Sequence, residues 1–370
     1  MMLSSIRLQN FRRHTSLNLN FSDKLNFIVG GNGQGKTSIL EAIYYLCTTR
    51  GLNSKSDIEV LKFDEDSFEI EATFENLSKD SVRIFFTRAD SKKFYFLNNK
   101  QVNKSSEIIG KFPVVVLTPA DHSITQGSPS ERRRFIDSVL SQASRIYLNS
   151  LIDYNKTLKQ RASLLNLFRE KKTRNLLTEI DAWTEKLVIS GVELIKQRTR
   201  FIVEFNKYIS DSYSKVMNGE ETPEIIYSSN IQETEAPLEK SFFELLNIKK
   251  EEEIKKAVNL VGPHRDDFIF KVNSINLKTF GSQGQHKTFQ AALKFAEFFY
   301  LKEMTGSTPI FLLDDVFGEL DSNRAKKISE YLRTVGQAFI TVTDFANFSF
   351  IEREKSDVFV NLNNRSLIYA

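Results

Sequence analysis

The chain has one cysteine, Cys47, in 370 residues. A single thiol closes no internal disulfide and builds no cysteine zinc site. Cys47 stands at the end of an apolar helical pattern, where a buried structural thiol is the expected role. No apolar run approaches the roughly 18 residues that a membrane span needs. The opening stretch "MMLSSIRLQNFRRH" lacks an apolar segment ahead of a cleavage site, so it does not read as a signal peptide. A reducing, cytoplasmic setting is the default that these absences leave. Internal repeats and low-complexity tracts are missing too. Sustained heptads are absent, which excludes a long coiled-coil arm.

What is present bounds the answer further. The length allows two or three domains, and a hydrophobic content of 41% is enough for a sizeable core. The net charge of +4 is uninformative as a sum. Its distribution is not even: residues 131–175 hold 11 Lys/Arg against 4 Asp/Glu, and residues 219–254 hold 3 against 10. A basic stretch of this kind either follows a nucleic-acid backbone or forms a solvated helix face. Within it, Arg132, Arg133, Arg134 and Lys159 are candidates for phosphate contacts with DNA.

Residues 1–118 read mostly as strands. "IRLQNF", "LNLNF", "SFEIEATFEN", "VRIFFTRA" and "KFYFLNN" alternate apolar and polar residues, as in an antiparallel sheet. "PVVVLTP" reads as a short buried strand. From about Ser130 to Met217 the spacing is helical and suggests about three long helices. Residues 218–254 read as an acidic connector with a short helix, and strand texture returns in "DDFIFKVNSINLKTF".

The strongest local signal is "LNFIVGGNGQGKTSILEAIYYL". Gly30, Gly35, Lys36 and Thr37 complete a phosphate-loop pattern between a short apolar strand and a helix start. Such a turn gathers backbone N–H groups and the positive end of a helix dipole around one point. Lys36 is expected to reach the terminal phosphates of a nucleotide, and the Thr37 hydroxyl to hold Mg²⁺. A partner acid is expected from "PIFLLDDVFGELD", where an apolar strand ends in Asp314 and Asp315. Asp314 is the candidate second metal residue, and Asp315 the candidate for orienting an attacking water. Ser282-Gln283-Gly284-Gln285 precedes a long amphipathic helix, and is either a helix cap or a second anion site. On the second reading, two copies facing head to tail would let each serine loop close the other's nucleotide site.

Taken together, these stretches resemble the ATP-binding-cassette ATPases of the chromosome-maintenance type, and within that class the RecF family of bacterial recombination and gap-repair proteins. "NFRRH", "GSPSERRRFID", "YNKTLKQRASLL", "VGPHRDDFIF", "GSQGQHK" and "LLDDVFGELD" carry the resemblance over nearly the whole chain. It implies an α/β fold: an ABC-type phosphate-loop ATPase head, with a mixed sheet and an antiparallel β subdomain, plus an inserted helical second lobe. Residues 1–120 and 255–370 would form the head and 121–254 the lobe. Gly30, Gly31, Asn32, Gly33, Gln34, Gly35, Lys36 and Thr37 would bind ATP with Mg²⁺. Arg12 would contact the nucleotide, while Ser282, Gly284 and Gln285 would act across a homodimer. Asp321 would sit at the dimer contact. Thr343 stands where transporters carry a switch histidine, which implies slow hydrolysis.

The sequence departs from the family pattern at Ser38 and at Asn53, and no Q-loop glutamine beyond Gln126 suggests itself. His264 and Arg265 read as structural turn residues. The implied role is an ATP-driven dimer that binds double-stranded DNA at gap junctions, works with RecR and RecO, and promotes RecA loading and the SOS response. Two alternatives are a phosphate-loop kinase for a small molecule, which has no use for the Ser282 loop, and another chromosome-maintenance ATPase.

Overall fold

A computed structural model describes the chain except for residues 53, 77, 218–220, 232–235, 320–321, 344–353, 363–365 and 370. In chain order the elements begin with β1 (Met2–Phe11), β2 (His14–Asn20), β3 (Leu25–Val29), α1 (Lys36–Thr48), β4 (Ser67–Glu75), β5 (Lys79–Thr87), β6 (Lys92–Leu97), β7 (Lys100–Val102) and β8 (Val114–Leu117). There follow α2 (His122–Gln126), α3 (Pro129–Ala143), α4 (Arg145–Lys171), α5 (Arg174–Met217), β9 (Pro223–Ser228), α6 (Leu238–Lys256), β10 (Asp267–Val272), β11 (Ile275–Asn276) and α7 (Leu277–Phe280). The chain closes with α8 (Gln283–Thr305), β12 (Ile310–Leu313), α9 (Ser322–Leu332), β13 (Ala338–Val342), β14 (Val358–Asn361) and β15 (Ser366–Tyr369).

Contacts divide these elements into two compact units. One comprises Met1–Asp121, Asp211–Glu220 and Lys287–Ala370, the other His122–Ser210 and Glu221–His286. Residues 255–286, read from sequence as part of the head, therefore group with the helices of the second unit. The physical reason is strand pairing: β10 takes β9 as its antiparallel neighbour, with Phe270 opposite Ile225.

The first unit holds two six-stranded sheets. The antiparallel one has the order β2-β1-β4-β5-β6-β7. Its strands alternate as a half-buried sheet must: in β4, Phe68, Ile70, Ala72 and Phe74 turn inward while Glu69 and Glu71 turn outward. The second sheet has the order β15-β14-β3-β13-β12-β8. It is parallel except for β15. All four residues of β12 and all five of β13 are buried, as expected of parallel strands covered on both faces. Helix α1 supplies Ile39, Leu40, Ile43 and Leu46 to one continuous core with both sheets. From α8, Phe295 stacks on Phe311 of β12. The side chain of Gln337 ties the sheets together, accepting from the N–H of Leu3 and donating to the carbonyls of Leu3 and Ser22.

The second unit packs α3, α4 and α6 with most of α5 and the small sheet β11-β10-β9. Among the described residues no helix is long and apolar enough to cross a membrane. Cys47 is free and buried, and burial pushes its thiol pKa up, so it stays protonated.

Candidate functional site

Between β3 and α1 the chain turns through Gly33 and Gly35, both with positive φ, at 74° and 92°. Gly35 is the N-cap of α1, and no side chain caps that helix. The first-turn N–H groups are thus left for a ligand, and the helix dipole favours an anion there. Lys36 is only 8% exposed, and its ammonium points into the loop. It rests on the carbonyls of Gly30 at 2.6 Å and Gly31 at 3.1 Å, curled back over the loop.

Asp314 lies at the end of β12, and its N–H donates to the carbonyl of Leu117 on β8. The Thr37 hydroxyl donates to Asp314 Oδ1 at 3.0 Å across 277 residues of sequence. Thr341 of β13 donates to the same oxygen at 2.8 Å, and accepts from the N–H of Asp315 at 2.9 Å. Asp314 thus stands at the centre of a short chain of hydrogen bonds. Burial raises its pKa; the hydrogen bonds from Thr341 and Thr37 and the nearby charge of Lys36 act against that shift. Asp315 is exposed and has a left-handed backbone with φ of 51°. Gly33, Gly35, Lys36, Thr37, Asp314 and Asp315 line a cavity of about 640 Å³ bounded also by Arg12, Arg13, Asn32, Ser38, Glu59 and Leu61. A hydroxyl and a carboxylate on one spot form an oxygen donor set of the kind Mg²⁺ prefers. The cavity is large enough for a nucleotide, so the residues present fit both groups.

Arg12 lies on the cavity wall, but most of its donors are already engaged. Its guanidinium makes a two-point ion pair with buried Glu41 of α1, at 2.7 and 2.8 Å, and donates to the carbonyl of Glu59. Arg13 is exposed beside the loop, with Nη1 3.3 Å from where a Cβ on Gly33 would lie. His14 leaves no room for a side chain on Gly35 and sits 3.1 Å from its carbonyl. The sequence reading passed over Arg13, His14, Glu41 and Thr341. The first two were adjacent to Arg12 in "NFRRH"; Thr341 carries no motif and is found only through the pairing of β13 with β12.

The serine loop belongs to the second unit. Ser282 and Gln285 form a reciprocal capping box at the start of α8. The Ser282 hydroxyl accepts from the N–H of Gln285 at 3.2 Å, and the Gln285 carbonyl oxygen from the N–H of Ser282 at 2.9 Å. Gln285 also donates to Glu221 at 2.7 Å. Both Ser282 and the anion-site question attached to it therefore start from a working helix cap. Gly284 lies in the first turn. Asp321 and Asn53 are outside the described residues. Thr343 follows β13 directly, and Gln126 is exposed at the end of α2.

The four basic candidates separate by burial. Arg132 is 5% exposed and locked in a two-point ion pair with Asp267 at 2.7 and 2.9 Å. Arg133 is half-buried and donates to the Asp266 carbonyl. Only Arg134 and Lys159 are exposed. Arg132 is thus an internal strut and has no free face for a DNA phosphate.

Three motifs without a counterpart in the phosphate site meet in one buried polar network. Arg198 of α5, 2% exposed, donates to Asp137 of "GSPSERRRFID", to Tyr147, and to the Pro263 carbonyl of "VGPHRDDFIF". Arg161 of "YNKTLKQRASLL" donates to Glu253, Asn259 and Thr184. His264 lies between the Tyr154 hydroxyl at 2.7 Å and the Asn259 carbonyl at 3.1 Å. Burial lowers its pKa to about 4, so the ring is neutral at pH 7.

A phosphate loop on a parallel strand, an acid two strands away in the same sheet and an antiparallel sheet over the same helix define an ATPase head of the chromosome-maintenance class. The family described as the RecF/RecN/SMC N terminal domain matches residues 2–363. Within it the chain belongs to the RecF family. It is 38% identical to the DNA replication and repair protein RecF of Chloroherpeton thalassium, covering 95% of this chain and 98% of that one. The RecF of Chlorobium phaeobacteroides is 39% identical over 93% of this chain and 96% of its own length. A solved structure of the recombination mediator protein RecF-ATP in the RecFOR pathway superposes with a TM-score of 0.88 at 30% identity, covering 100% of this chain and 97% of that one. The Smc head domain of Pyrococcus furiosus shares the fold at a TM-score of 0.55 and 14% identity, covering 99% of this chain and 94% of that one.

Proposed function

We propose that this chain is an ATP-dependent DNA-binding protein of replication and recombinational repair, working as a homodimer that ATP closes and hydrolysis opens. The observation that carries the reading is the 3.0 Å contact of Thr37 with Asp314 in a cavity floored by the phosphate loop. Kinship with RecF proteins, one of them solved with ATP, supports the choice of nucleotide. The N–H groups of the loop and of the α1 N-terminus hold the phosphates, and the Lys36 ammonium leaves the glycine carbonyls to neutralise the terminal ones. Thr37 and Asp314 hold Mg²⁺, which when bound offsets charge on the phosphate oxygens. Asp315 orients a water and takes its proton as the water oxygen bonds to the terminal phosphorus and the bridging P–O bond breaks.

Ser282 and Gly284 of the partner subunit approach the terminal phosphate, so ATP joins two protomers. DNA at gap junctions is the substrate of the closed dimer, and RecR, RecO and RecA are its partners in loading and in the SOS response. Arg134 and Lys159 are the basic candidates that remain for phosphate contacts. Sizing the full chain with and without ATP, alongside Lys36→Met, tests the reading. Wild type is expected to dimerise with ATP only, and the variant to neither bind ATP nor dimerise. A Lys36→Met protein that dimerises normally with ATP would remove the nucleotide from the assembly.

A further inference from the structure

In the second unit, β9 is the terminal strand of the sheet β11-β10-β9 and has an outer edge away from β10. That edge is closed at one position. Asn206 of α5 accepts from the N–H of Ile225 at 2.8 Å and donates to its carbonyl at 2.9 Å, as a neighbouring strand would. In an antiparallel strand both main-chain groups of a residue point to one side, and the side alternates along the chain. The N–H and C=O of Tyr227 therefore point outward with those of Ile225. Among the described residues nothing takes them; the Tyr227 hydroxyl, for its part, donates to Asp266.

A groove of about 700 Å³ lies between the stretch of α5 from Ile195 to Val203 and the strand β9. Its floor is apolar, with Ile195 and Ile202 from α5 and Ile225 from β9, each at most 6% exposed. Lys196 and Arg200 stand on its rim, exposed, with no carboxylate partner among the described residues and no acidic residue in the lining. Open strand edges are ordinarily blunted, because they invite another strand. Here the blunting stops at Ile225.

We propose that this groove docks an extended segment of a partner protein, one that alternates apolar and acidic residues, by adding it to β9 as a further strand. The main chain of Tyr227 supplies the strand bonds, the apolar floor takes alternate side chains, and Lys196 and Arg200 select acids on the other side chains. The inference is independent of the nucleotide site and calls for no ATP.

The probe is a fluorescent octapeptide alternating Val and Asp, titrated against the full chain without nucleotide and read by anisotropy. Saturable binding is expected. It should fall at least about tenfold in the double variant Lys196→Glu/Arg200→Glu, whose side chains are exposed and so leave folding intact. A peptide N-methylated at alternate residues, which cannot make strand bonds along one edge, should be weakened comparably. Absence of binding, equal binding by the N-methylated peptide, or equal binding by a Val–Lys peptide would each overturn the proposal. Displacement of the peptide by an oligothymidylate would also overturn it, assigning the groove to nucleic acid.

Discussion

Three residues, two in the ATPase head and one in the helical unit, show how far local environment decides role. Asp314 and Asp315 are neighbours of the same chemistry, yet Asp314 is 9% exposed and receives hydrogen bonds from Thr37 and Thr341, while Asp315 is exposed and unburdened. Asp315→Asn keeps shape and loses the proton acceptor. ATP binding should stay within about twofold of wild type while turnover falls about a hundredfold or more, the range expected for a general base. Single-turnover hydrolysis measured beside nucleotide affinity checks both, and normal turnover would assign the water to another group. His264 makes a different prediction. Its folded pKa of about 4 lies below the ordinary 6.5, because burial and the charges of Arg265, Arg133 and Arg161 oppose protonation. The unfolded chain therefore binds the proton first as pH falls, and stability is lost between about pH 6.5 and 4. From pH 7 to 5 this group accounts for about 2 kcal/mol of destabilisation. His264→Gln should show a correspondingly shallower loss over that interval, measured by denaturant unfolding at the two pH values. Equal slopes in the two proteins would clear His264 of any part in acid sensitivity.

At the scale of elements, the head depends on two sheets meeting over α1, and Gln337 is the polar link at that junction. It is 2% exposed and supplies the N–H and C=O of Leu3 with their side-chain partners. A buried main-chain group left without a partner costs about 1–3 kcal/mol. Gln337→Ala should therefore lower stability by about 3 kcal/mol while nucleotide affinity changes little, since the phosphate loop is anchored separately through Gly30 N–H to the Val342 carbonyl. Thermal unfolding with and without ATP separates the two effects; a loss of less than about 0.5 kcal/mol would mean that water replaces the amide there. In the helical unit the buried pairs of Arg198 and Arg161 act between elements in the same way. Removing one partner of such a pair is far costlier than replacing both.

For the whole molecule, the question is whether two copies are needed. Ser282 already performs a local task, capping α8 through Gln285. Ser282→Arg removes the cap, at about 1 kcal/mol, and places a bulky cation where a partner's phosphate is expected. The variant should bind ATP as a monomer, fail to dimerise and retain DNA weakly. Ser282→Asn, which preserves the cap, separates the two tasks: dimerisation lost in both variants with the cap intact in one is the outcome that supports a role across the interface. Wild-type DNA affinity should also fall steeply with salt, since the contacts proposed for Arg134 and Lys159 would be to phosphate. A flat salt response would point away from the backbone of the DNA.

Much of the head was legible in the sequence because its signals are local. Gly33 and Gly35 announce the turn, the alternation in β4 announces a half-buried sheet, and the unbroken apolar run of Ile310–Leu313 announces a covered parallel strand. The motif chemistry also placed Thr37 and Asp314 at one point, and the strands bring them to 3.0 Å. Other features are settled only by contacts between distant segments. A run of three arginines reads as a basic face, but Asp267 buries Arg132 from 135 residues away. Residues 255–286 look like a return to the head until β10 pairs with β9. Thr341 joins Asp314 only because β13 lies beside β12, and the outward edge of β9 is covered at Ile225 only because Asn206 of α5 reaches its main chain. Periodicity and motif report what each residue offers its neighbours in the chain; which charges are neutralised and which strand edges stay open depends on partners that chain order does not name.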